Sequence, residues 1–147
     1  MKLVSLSLVT AVAVQLLCQL FKVAYYSVRE GGLRPHYFVS AGGIPSAHSA
    51  FVTALFVAVG MRSGPGSDVF AVAFVFGMIV IYDAYRLRGE VEKHARLLNR
   101  LVLRYHPQEP AELSEMVGHT VPEIVAGIAT GAIFSIGVTL VLRSAGM

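Results

Sequence analysis

The chain has 147 residues, of which 55% are hydrophobic and only 14% are charged, and its mean hydropathy is +0.66. Soluble domains carry about 25% charged residues, so this composition excludes an ordinary soluble domain and indicates a membrane protein. The net charge of +3 does not indicate nucleic acid binding, because the basic residues flank apolar runs as they do in membrane proteins. The length predicts one membrane-embedded domain over residues 1–147.

The first apolar run, from Leu3 to Phe21, holds 19 uncharged residues and predicts a membrane-spanning helix that Lys22 closes. A signal peptide is the alternative, with Lys2 as its basic region and residues 11–13 resembling a cleavage site. The apolar run continues well past that site, which favours the span. The second predicted span runs from Ile44 to Met61.

The third apolar run, from Val69 to Tyr82, is short for a span, so its helix is expected to continue through Asp83 and Tyr85. Beyond it, apolar residues recur at helical spacing among arginines, which predicts the same helix leaving the membrane or an amphipathic helix lying on the surface. Ile124 to Leu142 is the last span. The predicted fold is all-α, a polytopic membrane helix bundle of about four transmembrane helices, with the third extended as, or followed by, an amphipathic cytoplasmic helix.

Small residues recur every four positions in the second and fourth spans, a spacing that lets helices approach closely in lipid. These residues are Ala50, Ala54, Ala58, Gly127, Gly131 and Ser135. We expect these two faces to leave room for a homodimer.

The distribution of basic residues predicts how the helices are oriented in the membrane. Nine of the 12 Lys and Arg residues fall on one side of the four predicted spans, and three fall on the other. The positive-inside rule puts the side with nine in the cytoplasm and both termini outside. An anion-binding site would also enrich that side in Lys and Arg.

The stretch from Gly42 to Ala50 predicts the start of a helix. Pro45 fits a first helical turn, and Ser46 and Ala47 would follow it with N–H groups that have no partner inside the helix. Such a terminus attracts phosphate, and His48 lies where it can give a proton to a bound group. A capped helix start with a buried histidine is the alternative.

A second motif, from Gly118 to Glu123, precedes the last span on the same side. His119 and Glu123 are four residues apart, so the carboxylate can hold one ring nitrogen while the other attacks phosphorus. His48 would protonate the leaving alkoxide and later activate water. Three charged residues close neighbouring spans at the same depth: Lys22, Asp83 and Arg88. The pattern predicts phosphoryl transfer through a phosphohistidine, with no metal and no other cofactor.

A metal site is the alternative for the same side chains. Its ligands would be His48, Asp83, His119 and Glu123, but their positions lack the tight spacing of known ligand sets.

At these residues the chain resembles the divergent branch of the type 2 phosphatidic acid phosphatase and vanadium haloperoxidase superfamily, which comprises small bacterial and plant membrane proteins. The matching pieces span nearly the whole chain. They are residues 42–50, Tyr82-Asp83-Ala84 with Arg88, Leu98-Asn99, and residues 118–123.

The wider superfamily's signature fits in three parts and fails in one. The fitting parts are Lys22 with Arg29, where Glu30 replaces a proline and Arg34-Pro35 competes; Pro45-Ser46-Ala47-His48, with Ala for Gly; and His119 with Glu123, with Glu for Asp. The signature's Ser-Arg should fall at Glu112 and Leu113 and is absent, so we take Arg88 as the candidate replacement for that phosphate clamp. The wider superfamily's membrane members use six helices, and this chain supplies the last four.

The resemblance implies a membrane lipid-phosphate phosphatase, a phosphoric monoester hydrolase with a metal-independent site on the cytoplasmic face. It implies His119 as nucleophile, His48 as acid and base, and Glu123 as the group that orients His119. The implied phosphate ligands are Lys22, Arg29, Ser46, Ala47 and Arg88, with Asp83 supporting Arg88 or Lys22. The expected partners are a lipid phosphate and the bilayer, and the resemblance implies a bacterial inner (plasma) membrane as the location. The alternative is a non-catalytic protein that binds a phospholipid headgroup or an anion in the same basic pocket.

Overall fold

The computed structural model describes residues 5–40, 42–108, 110 and 113–146, and these form an all-helical structure. The elements are α1 (Leu6–Arg29), a 3-10 turn (Pro35–Phe38), α2 (Ala47–Ser63), α3 (Asp68–Tyr105) and α4 (Val121–Ser144). The all-α helical bundle predicted from the sequence is confirmed. Lys2 and Leu3, where the first span was expected to begin, lie outside the described residues.

Three of these helices, α1, α3 and α4, are long and apolar enough to cross a membrane. The fourth, α2, is an apolar helix of 17 residues and is about 25 Å long, slightly less than the roughly 30 Å hydrocarbon core of a bilayer. Both ends of the bundle nevertheless include α2. Arg143 donates to the carbonyl of Met61 at one end, and the N–H of Ser46, the N-cap of α2, donates to the carbonyl of Glu123 at the other.

The short helix α2 lies at the centre and packs against α1, α3 and α4. Its contact with α4 is very close, because a Cβ atom on Gly127 would stand 2.4 Å from the Ser46 carbonyl oxygen and one on Gly131 2.3 Å from that of Ala50. One turn further, the Ser135 hydroxyl donates to the Ala54 carbonyl at 3.1 Å. The predicted small-residue faces therefore pack against each other within one chain.

The packing of the small-residue faces against each other affects where a homodimer could form. Gly127, Gly131 and Ser135 are all buried against α2, so this face is not open to a second copy. The homodimer stays a prediction, and it now needs another surface.

The third helix is continuous over 38 residues and is about 57 Å long, nearly twice the thickness of the hydrocarbon core. Its outer half must therefore project beyond the membrane or leave it at a tilt. Of the two arrangements predicted from the arginine-rich sequence, the structure has the single helix that continues past Asp83.

The predicted start of α2 is wrong by two residues. Pro45 lies before the helix, and Ser46 is the N-cap, with its hydroxyl accepting the N–H of Ser49 at 3.3 Å. Serine is a preferred N-cap because its side-chain oxygen satisfies an N–H of the first turn. The first helix also extends beyond the predicted end at Phe21, because the apolar residues that follow Lys22 continue it to Arg29.

Replacing Gly131 with alanine should destabilise the bundle, because the added methyl group overlaps the Ala50 carbonyl. Overpacking of this kind typically costs about 1–3 kcal/mol. The measurement is the free energy of unfolding in detergent. Gly137→Ala is the matched control, since nothing lies within 4 Å of a Cβ atom there. Equal stabilities for the two variants would contradict the packing of α2 on α4.

Candidate functional site

The two sequence motifs meet at the end of the bundle where α2 and α4 begin. The N–H of Ser46 donates to the carbonyl of Glu123 at 3.0 Å, which ties the two helix starts together. The N–H of His119 donates to the carbonyl of Ala84 at 3.2 Å, which ties the same region to the middle of α3. The convergence predicted from the order of the spans is thus present in the structure.

The paired residues His119 and Glu123 are in contact. The Nδ1 atom of His119 lies 3.2 Å from Oε2 of Glu123, and the same oxygen accepts the N–H of Thr120 at 3.0 Å. With Nδ1–H donated to the carboxylate, Nε2 carries the lone pair of a neutral ring. The His119 side chain is 0% exposed, and Nε2 has no hydrogen-bond partner among the described residues.

The surroundings of His119 favour its neutral form. Burial lowers the pKa of His119 below the ordinary 6.5, and the nearby charges of Lys22 and Arg88 lower it further. The hydrogen bond to Glu123 opposes this shift without cancelling it. The ring is therefore uncharged at pH 7, which is the state that a nucleophile needs.

The second histidine, His48, lies beside the first. The two ring centroids are 6.3 Å apart with an angle of 63° between the ring planes. The Nδ1 atom of His48 is also buried and, among the described residues, has no hydrogen-bond partner. Two neighbouring rings thus each hold an unused nitrogen in a site with few polar partners.

The predicted cations Lys22 and Arg88 both act electrostatically on His48 and His119. Lys22 is 0% exposed, and its Nζ donates to the Gly42 carbonyl at 2.9 Å, which leaves two further donor hydrogens. The Nε atom of Arg88 lies 3.1 Å from Oδ2 of Asp83. Of the two cations that Asp83 was expected to hold, the structure pairs it with Arg88.

The three other predicted phosphate ligands are not equally available to a phosphate group. The Ser46 side chain is buried by its capping role and its N–H is bonded to Glu123, so both groups are engaged in this structure. Ala47 is the first residue of α2, where its N–H has no partner inside the helix. Arg29 is exposed and lines a shallow groove with Phe21 and Tyr25 instead. It lies about 10 Å beyond Lys22 along α1, because seven residues separate them.

A cavity of about 470 Å³ opens between α3 and the segment that leads to α4, and His119 and Glu123 line it. Its other charged residues were not predicted as part of a site, because that part of α3 was expected to leave the membrane or to lie on its surface. They are Arg86, Glu90, Glu92, Lys93, Arg96 and Glu115. Glu92 is also tied to the site, since it accepts the N–H of Gly118 at 3.0 Å.

The metal alternative can be compared with the same geometry. Within the described ranges, no three His, Cys, Asp or Glu side chains are close enough together to hold a metal ion.

Comparisons with known proteins give two matches. The divergent PAP2 family matches residues 4–134 of the chain. The chain is also 28% identical to the uncharacterized membrane protein YuiD of Bacillus subtilis (strain 168) over 148 residues, which cover 91% of this chain and 94% of that protein. No solved structure matches this chain.

The pKa of His119 should be low because the side chain is buried. NMR of histidine-labelled protein should give His119 a pKa below 6.5, and Glu123→Gln should lower that pKa further by removing the nearby negative charge. Because the folded state binds this proton less tightly than the unfolded chain, His119 stabilises the fold above pH 6.5, and that contribution is lost as the pH falls toward the folded pKa. A pKa above 6.5 in the wild type would contradict this geometry.

Proposed function

Since the chain belongs to the divergent PAP2 family, we propose that it hydrolyses a lipid phosphate monoester in the membrane through a phosphohistidine on His119. One observation carries the proposal. Glu123 holds Nδ1 of His119, which leaves Nε2 as a buried and unpartnered nitrogen beside a second histidine. Such a nitrogen has the lone pair and the fixed tautomer that attack on phosphorus requires.

The proposed reaction has two steps. In the first, Nε2 of His119 attacks phosphorus, the bond to the lipid oxygen breaks, and protonated His48 gives its proton to the leaving alkoxide. In the second, His48 takes a proton from water as the water oxygen attacks phosphorus. The phosphorus–nitrogen bond then breaks, which releases inorganic phosphate and restores both histidines.

The phosphate oxygens need positive partners while charge builds up on them. We assign this role to Lys22, Arg88 and the N–H of Ala47. Lys22 and Arg88 act on both histidines, and Ala47 begins the helix that carries His48. Ser46 and Arg29 are left out of this set, because Ser46 is engaged as a cap and Arg29 lies too far along α1.

A second candidate function is binding without turnover. It is favoured by the burial of both Lys22 and His119, whose side chains are 0% exposed. The absence of the superfamily's Ser-Arg also favours it, since Leu113 has no charge and Glu112, outside the described residues, has the wrong sign for a phosphate clamp. The ligand would be a phospholipid headgroup or an anion in the same basic pocket.

The phosphatase proposal predicts phosphate release by the purified protein in detergent. The substrates to test are phosphatidic acid, phosphatidylglycerol phosphate and polyprenyl phosphates, each with and without EDTA. His119→Gln should lower kcat at least about 1,000-fold, because it removes the nucleophile. His94→Gln, an exposed histidine on α3, should have no effect.

Each other outcome of that assay has a defined meaning. Release that EDTA abolishes would overturn the metal-independent mechanism. Wild-type release by His119→Gln would overturn the phosphohistidine. No release from any lipid, together with lipid-phosphate binding that His119→Gln retains, would establish the binding protein.

We further propose that the site faces the cytoplasm of a bacterium with both termini outside. Leu6 and Arg143 border one small cavity, so the start of α1 and the end of α4 lie on the same side, and the order of the spans puts the excess of Lys and Arg on the other. In a Cys18→Ala background, an impermeant maleimide should label Ser144→Cys in intact spheroplasts but label Gln108→Cys only after permeabilisation. The reverse pattern would contradict this orientation.

A further inference from the structure

The segment between α3 and α4 carries His119 at its end, and one face of α3 holds this segment in place. Within residues 85–105, all of which the structure describes, Ala95 and Asn99 are the only buried residues. Asn99 is 6% exposed in a helix half that is otherwise open and rich in arginine. A buried amide at such a place indicates a specific partner, because burying an unpaired polar group is costly.

The amide of Asn99 is fully used by the segment. Its Nδ2 donates to the Leu113 carbonyl and to Oε1 of Glu115, both at 2.8 Å, and its Oδ1 accepts the Leu113 N–H at 3.2 Å. A side chain must supply two donors and an acceptor to make this set. Asparagine and glutamine do so, whereas aspartate cannot donate when ionised.

A second contact holds the other end of the segment. Glu92 lies seven residues before Asn99, on the same face of α3. One of its carboxylate oxygens accepts the N–H of Gly118 at 3.0 Å, and the other pairs with Arg96. The next residue, His119, donates its N–H to Ala84. The segment is therefore fixed to α3 both at Leu113 and at Gly118, immediately before the nucleophile.

We propose that Asn99 is a positioning residue for His119, which acts by fixing the segment 113–118 against α3. The catalytic consequence rests on the proposed function, whereas the positioning of the ring does not. A nucleophile at the end of a long irregular connection needs such support, because loops place side chains less accurately than helices do. A displacement of about 1 Å can cost about 100-fold in rate.

The test is Asn99→Asp, which removes both donors and places a carboxylate against Leu113 and Glu115. We expect kcat for the lipid phosphate to fall about 10- to 100-fold, with KM within about twofold of the wild type. The NMR titration of His119 should shift upward toward 6.5 as water reaches the loosened ring. Gln108→Glu is the matched control, because it makes the same chemical change at an exposed site and should alter neither quantity.

The titration separates this proposal from the proposed function. If the wild type releases no phosphate, an upward shift of the His119 titration in Asn99→Asp still supports positioning. Adding Glu115→Gln to Asn99→Asp should recover part of the shift, since the new amide can donate to Asp at position 99. If the pKa of His119 in Asn99→Asp equals that of the wild type, the proposal is overturned, whether or not kcat falls. If Asn99→Asp does not fold, Glu115→Ala removes one bond of the set, and an unchanged titration in that variant would overturn it as well.

Discussion

The carboxylate of Glu123 joins the start of α4 to His119, and the rest of the site depends on this contact. Its Oε2 accepts the Thr120 N–H and lies against Nδ1 of His119, while its own carbonyl accepts the N–H of Ser46 at the start of α2. One residue therefore caps α4, sets the tautomer of a histidine and ties together the two helix starts. A carboxylate at a helix N-terminus is also favoured by the helix dipole, so its structural and chemical roles do not conflict.

The close packing of α2 on α4 makes this contact possible. Ser46 reaches the carbonyl of Glu123 only because Gly127 and Gly131 let the two backbones approach without intervening side chains. In a bilayer there is little hydrophobic driving force between helices, and small residues provide contact through close packing. The same packing encloses Lys22, which is acceptable in an apolar setting because its ammonium finds the Gly42 carbonyl and lies near Glu123.

Much of the fold and part of the site were predictable from the sequence. The apolar runs located all four helices because span length and hydropathy are local properties, and the two histidine motifs met because their order among the spans put them on one side. The start of α2 was predicted two residues too early because Pro45 suits a first helical turn, whereas in the structure the Ser46 hydroxyl caps the helix. Arg29 was included from a sequence signature, and that signature contains no information about its distance along α1.

The cavity between α3 and the segment that leads to α4 could not be predicted from the sequence, and neither could the role of Asn99. The contacts of Asn99 join residues 14 and 16 positions apart, and Glu92 reaches Gly118 across 26 positions. Hydrophobic periodicity carries no record of such contacts. The sequence offered two signals, a neutral amide among arginines on an amphipathic helix and the match of Leu98-Asn99 to the family, and neither identifies the partners of the amide.

The proposed mechanism requires a covalent bond between phosphorus and Nε2 of His119. The most direct measurement is rapid acid-free quenching of the protein with radiolabelled p-nitrophenyl phosphate, whose leaving group needs no proton from His48. We expect a phosphoryl label that is stable in alkali and labile in acid, located on the peptide that contains His119. This label should accumulate in His48→Ala, where water is no longer activated, and be absent from His119→Ala. The phosphohistidine mechanism would be contradicted by a label that persists in His119→Ala. It would also be contradicted by phosphate release without any label in His48→Ala or the wild type.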